Sequence, residues 1–253
     1  MENLKDKLQT VAGIIPRVYE AGVEEGKVRE RSEFWNVLLQ DGNRADFAMA
    51  GVFAGYSWDF NNFYPTRDLI IRGDAYRLFY AWCTRAAHYG SLIERLKECG
   101  VRLDTSASTR LDGAFGYTRM SEIPTIDIRN STANNGIFGE AKDLIKIEKL
   151  IVSESSPFGT TCFRNTTSLE EIRIEGTIGQ NGFDIHWSTK LSRESIESII
   201  NALSDTTSGL TVTLSEAACK KAFNVPDDED IYAGSGMFCD LVLSKSNWTI
   251  ALI

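Results

Sequence analysis

Histidine is nearly absent: the chain has only His88 and His186, and neither stands in an HExxH pattern that would bind zinc on a helix. GxSxG and GxxxxGK[ST] are missing too, which removes the sequence signs of a nucleophile elbow and of a phosphate-cradling loop. Lys and Arg never gather into a run, and Asp and Glu outnumber them 35 to 27. The resulting formal charge of −8 argues against a nucleic-acid partner, whose phosphates call for a basic face. Apolar runs all fall short of the roughly 20 residues that a bilayer-crossing helix needs, so no membrane span is expected. The five cysteines (Cys83, Cys99, Cys162, Cys219 and Cys239) are odd in number and widely spaced, with no CxxC pair. That usage fits reduced thiols of a protein made in the cytoplasm, not a disulfide framework or a zinc site, and no metal or cofactor is expected. The start, Met1 to Leu8, alternates charge with apolar residues and carries no secretory signal pattern.

What is present is globular: 43% of the 253 residues are hydrophobic and 25% charged, enough to bury a sizeable core. Four stretches differ in character. Residues 1–44 read as helical. Leu4, Leu8, Val11, Ile15 and Val18 recur at spacings of four, three, four and three, a seam suited to a partner helix or to self-association. Pro16 interrupts that seam, and Asp41-Gly42-Asn43 ends the second helical stretch. Residues 45–100 concentrate aromatics, among them Phe63, Tyr76, Phe79, Tyr80 and Trp82. Such rings either seal one end of a core or line a carbohydrate or peptide site. Within this stretch, residues 68–72 read as a strand, and a helix is expected from about Gly73 to Cys99, closed by Gly100.

Residues 101–190 repeat. Phe115, Phe138 and Phe163 lie 23 and 25 residues apart, and each is followed by a Met or Leu and then a short strand. The strands close on Ile128, Val152 and Ile174, which are 24 and 22 apart. A period near 23 suits coils of one short strand and a return turn, each adding one Phe to a shared core. Residues 191–253 supply a cap. Ser192 is a natural N-cap for a helix with Ile196, Ile199, Ile200 and Leu203 on one face, and Leu210–Leu214 alternates as a strand.

The Phe-x₅-Leu-x₂-Ile-x-Ile unit of Phe163 to Ile174 resembles the BspA-type leucine-rich repeat. More widely, Phe53-Ala54-Gly55, Ile174 to Gly179, Phe183 to Ser188 and Asn247 to Ile250 are similar to repeat proteins encoded in phages and prophages of gut Firmicutes. The resemblance implies an α/β repeat fold: an irregular leucine-rich-repeat solenoid with short parallel strands, a helical N-terminal segment and a helix-plus-strand C-terminal cap. It also implies a non-catalytic binding or structural component of a phage tail or virion, made in the bacterial cytoplasm and directed at a protein or a cell-surface glycan. A glycan-acting enzyme and a purely structural subunit remain as alternatives.

If the apolar strand residues point inward, alternate residues face out. The expected recognition surface is therefore Asp127, Arg129, Ile151, Ser153, Arg173, Glu175, Thr211 and Thr213. Asp184, His186 and Ser188 would share one face of a strand and could form a nucleophilic trio, or simply an acid holding a histidine in place. Asp227-Asp228-Glu229-Asp230 lacks the Gly and terminal Glu of a calcium loop and reads as a solvated acidic turn.

Overall fold

The computed structural model describes residues 63, 65, 68–82, 90–159, 161–232 and 237–253. The expected N-terminal helices lie outside them. Among the described residues the fold is mixed α/β, with short parallel strands, four helices and no closed barrel.

Strand β1 (Leu69–Asp74) pairs in parallel with β2 (Leu103–Arg110), and helix α1 (Leu92–Cys99) lies between them in the chain. Ser91 caps α1 by accepting the Glu94 amide, and Gly100 ends it at φ 67, a left-handed value that glycine adopts without steric cost. Strands β3 (Glu122–Ile123) and β4 (Ile126–Asp127) flank Pro124, whose ring removes a ladder donor. Both pair with β5 (Lys146–Val152), and β5 pairs with β6 (Glu171–Gly176), all in parallel. The register sets Ile126 against Leu150 and Leu150 against Ile174, two equal steps of 24 residues. The expected alignment of Ile128, Val152 and Ile174 is therefore corrected. Val152 faces Gly176, because Ile172 pairs with Ile147 rather than with Leu150, and β5 carries one extra residue between those two.

The return turns stack as well. Residues 75–82, 111–118, 134–141 and 161–166 form four tiers joined by backbone hydrogen bonds. Phe79 N–H donates to Ala114 O, Phe115 N–H to Ile137 O and Phe138 N–H to Cys162 O. Inside, the rings of Phe79, Phe115, Phe138 and Phe163 stack at centroid distances of 5.3, 5.8 and 5.4 Å, and Phe183 follows at 5.3 Å. All five are fully buried, in one core that runs from Phe63 to Ile250. Two residues after each of the first four rings the chain turns left-handed, at Ala81, Tyr117, Glu140 and Asn165, with φ between 56 and 63. The tier at 75–82 corrects the expected helix from Gly73. Leu78, Phe79 and Trp82 have helical spacing, but the Arg77, Phe79 and Ala81 amides pair across to the next tier while those of Leu78, Tyr80 and Trp82 bond three residues back, so among the described residues of that stretch only Leu92–Cys99 is helical.

Beyond β6, helix α2 (Arg193–Asn201) takes the place of a further strand. Its N-cap is Ser192, as expected, and Ile196, Ile199 and Ile200 are buried. Ile172 N–H donates to Ser195 Oγ at 3.0 Å and Ile174 N–H to Ser198 Oγ at 2.8 Å, so helix hydroxyls satisfy the edge of the sheet. Ser195→Ala should orphan the buried Ile172 amide and cost about 1–3 kcal/mol in urea unfolding, with faster hydrogen exchange at that amide. Strand β7 (Leu210–Leu214) falls where alternation placed it and pairs in parallel with β8 (Trp248–Leu252). Helices α3 (Glu216–Phe223) and α4 (Met237–Leu243) complete this end, where Phe238 packs edge-on against Phe223.

Candidate functional site

Across the four turn tiers the side chains fall into ranks set by their distance from the stacked Phe. The residue before each Phe is buried: Leu78, Ala114, Ile137 and Cys162. The residues two before and one after it point outward. In the first tier these are Arg77 and Tyr80, in the fourth Thr161 and Arg164. In the second and third tiers they are all glycine: Gly113 and Gly116, then Gly136 and Gly139. Four missing side chains between two walls leave an open groove of about 390 Å³. That falls within the roughly 300–1,000 Å³ of small-ligand sites.

The groove floor is backbone that already has its partners. Ala81 N–H donates to Gly116 O, Tyr117 N–H to Gly139 O, and Gly116 and Gly139 donate to Gly113 O and Gly136 O. Tyr80 and Tyr117 stand at one end with ring centroids 5.3 Å apart, and Tyr117 is half exposed. Arg77 lies over the rings of both Tyr76 (4.9 Å) and Tyr80 (4.5 Å), which fixes a long side chain at the lip. Two carboxylates border the groove, and each is held by a cation. Asp112 accepts from Arg110 Nε at 2.8 Å and from the Asn135 amide at 2.6 Å. Glu140 accepts twice from Asn165 Nδ2 at 2.9 Å and pairs with Arg164 at 3.3 Å.

The residues expected to face out from the strands are differently disposed. Asp127, Ile151 and Glu175 do form one rank across β4, β5 and β6. Asp127 is buried, not outward-facing: Arg129 folds back on it with Nη2 2.6 Å from its carboxylate, and Thr105 Oγ1 accepts its amide. The Arg129 guanidinium is exposed, and Ser153 Oγ donates to Arg129 O. Lys149 bonds Glu175 at 2.6 Å and holds its carboxyl below the usual carboxylate range. Lys146 likewise pairs with Glu171 at 2.7 Å. Arg173 is exposed. Thr211 and Thr213 belong to the separate β7–β8 sheet, so the eight residues do not share one face. Leu4, Leu8, Val11, Ile15 and Val18 lie outside the described residues.

Asp184 Oδ1 meets His186 Nδ1 at 2.5 Å, but Ser188 is turned inward, fully buried, with its hydroxyl on Thr166 O and Oγ1. The trio is thus an acid and a histidine on the surface and a serine in the core. In the acidic turn, Asp227 O accepts from Lys220 Nζ and Asp230 accepts the Tyr232 amide. Among the described residues no helix is long and apolar enough to cross a membrane.

Reading the strands alone missed the groove. Its sequence sign is Gly113-Ala114-Phe115-Gly116 repeated as Gly136-Ile137-Phe138-Gly139, in which glycine flanks each buried pair. No protein-family model, curated protein or solved structure matches the chain.

Proposed function

We propose that this chain is a non-catalytic binding protein, an irregular leucine-rich-repeat solenoid of the BspA type that serves as a receptor-binding component of a phage tail or virion. Supporting the solenoid are the parallel strands at a 24-residue step and the continuous Phe stack. One observation carries the binding role: two glycine pairs, on adjacent tiers, open a tyrosine-edged groove whose floor carbonyls at Gly113, Gly116, Gly136 and Gly139 each already accept a backbone amide. The strand face makes a poorer recognition surface, because apart from Arg173 its cations are already paired with its carboxylates. Pairing of Asp112 and Glu140 with arginines favours binding over acid–base work, which needs a carboxyl free to carry a proton. Residues 1–44 attach the protein to the particle.

Binding of the labelled full chain to a panel of intact Gram-positive cells tests this reading. Tyr117→Ala should lower affinity for the cells it binds by roughly thirtyfold, the effect of losing an aromatic anchor worth about 2 kcal/mol, and Arg173→Ala should leave it unchanged. Removing residues 1–44 should abolish assembly, seen by mass measurement in solution, and retain cell binding. A loss of affinity in Arg173→Ala with none in Tyr117→Ala would return recognition to the strand face. Absence of binding to any cell would favour a purely structural subunit.

A further inference from the structure

We propose that the groove takes a saccharide carrying a carboxylate, such as a uronic or sialic acid, with a sugar ring against Tyr80 and Tyr117 and its acid group on Arg77. This rests on the reading of the groove as the recognition site.

Charge balance points to the acid. Asp112 is paired with Arg110, which also meets Asp74, and Glu140 is paired with Arg164 and Lys142. Arg77 has no carboxylate partner among the described residues and is exposed. Arg77 is thus the lining cation left to meet an outside anion, in a chain whose formal charge is −8. The cation is also held in place, since the rings of Tyr76 and Tyr80 lie under its guanidinium. A planar, fixed guanidinium suits a carboxylate, which it can meet with two parallel N–H donors.

The rest of the lining points to a sugar. Tyrosine rings stack on the C–H faces of a pyranose, and the glycine floor lets a flat ring lie close to the backbone. Hydroxyls need side-chain donors and acceptors, and the Asn135 side-chain carboxamide and the Thr161 hydroxyl border the groove without a hydrogen bond among the described residues. An acidic peptide fits less well. It would seek backbone partners, but the floor amides and carbonyls of Gly113, Gly116 and Gly139 are already engaged within their own tier or by the next.

Calorimetric titration of the full chain with tetragalacturonate and maltotetraose, with 3′-sialyllactose and lactose, and with hexaglutamate decides the matter. At least one acidic saccharide should bind roughly tenfold more tightly than its neutral counterpart, the scale of one charge-assisted contact. Arg77→Gln should erase that difference while leaving neutral-sugar binding unchanged, and Tyr117→Ala should weaken both. Melting curves matching the parent establish that the variants fold. The proposal is overturned if neither acidic saccharide is preferred, if Arg77→Gln leaves the preference intact, or if hexaglutamate binds and the saccharides do not. Equal binding of acidic and neutral sugars that Tyr117→Ala abolishes would discard the acid preference and keep the groove as the recognition site. Loss of cell binding in Tyr117→Ala with no affinity for any of these sugars would likewise overturn only the saccharide assignment.

Discussion

Replacing Gly176 with alanine should lower the stability of the chain by about 3–5 kcal/mol, combining backbone strain with a hard overlap. Gly176 ends β6 at φ +99, where side chains are rarely tolerated. A Cβ there would stand 2.0 Å from Val152 O, and the atom it meets is backbone in the adjoining strand, which cannot swing aside. Gly209→Ala is the matched control. Gly209 also has a positive φ, +73, but a Cβ on it would meet nothing within 4 Å, so only the strain of about 1 kcal/mol applies. Urea unfolding of the two variants separates the contributions, and near-equal midpoints would show that β5 yields to the added methyl group.

Phe138→Ala should cost about 3–5 kcal/mol, the range for emptying a large buried aromatic site. Its ring is sandwiched between Phe115 at 5.8 Å and Phe163 at 5.4 Å, and it is fully buried. Both neighbours are themselves held by further rings, so the void has little freedom to collapse. A double-mutant cycle of Phe115→Leu and Phe138→Leu should return a coupling of about 0.5–1.5 kcal/mol, because the two faces are offset-stacked at 21° and touch directly. Additive losses in that cycle would mean that the rings are buried side by side without specific contact.

The interior of the fold was legible in the chain because burial leaves a period. Phe115, Phe138 and Phe163 sit near one spacing, and each is flanked by an apolar residue and a short strand. Phe79 belongs to the same stack but escaped that reading. It stands 36 residues before Phe115, since α1 is inserted between the tiers, and its neighbours Leu78 and Trp82 mimic a helix face. Turn ladders and helices bury the same three- and four-residue spacings, and only the direction of the amides tells them apart. The strand register was off by two residues at one end, because Ile147 and Leu150 are both apolar and the hydrophobic pattern does not say which of them meets Ile172. Asp127 read as exposed from alternation, yet Arg129 two residues later covers it; alternation says which way a side chain leaves the strand, not what folds back over it. The groove is made of absent side chains, so no chemically active residue marks it in the sequence.

The seryl edge of α2 has a consequence for how this molecule meets copies of itself. A stack of parallel tiers could in principle accept another layer at its end, and then another, as a growing fibre does. With the amides of Ile172 and Ile174 already occupied by hydroxyls, a strand arriving from a second molecule finds no donors at those positions. Lengthening by duplication has its natural place ahead of α2, where one 24-residue step meets the next.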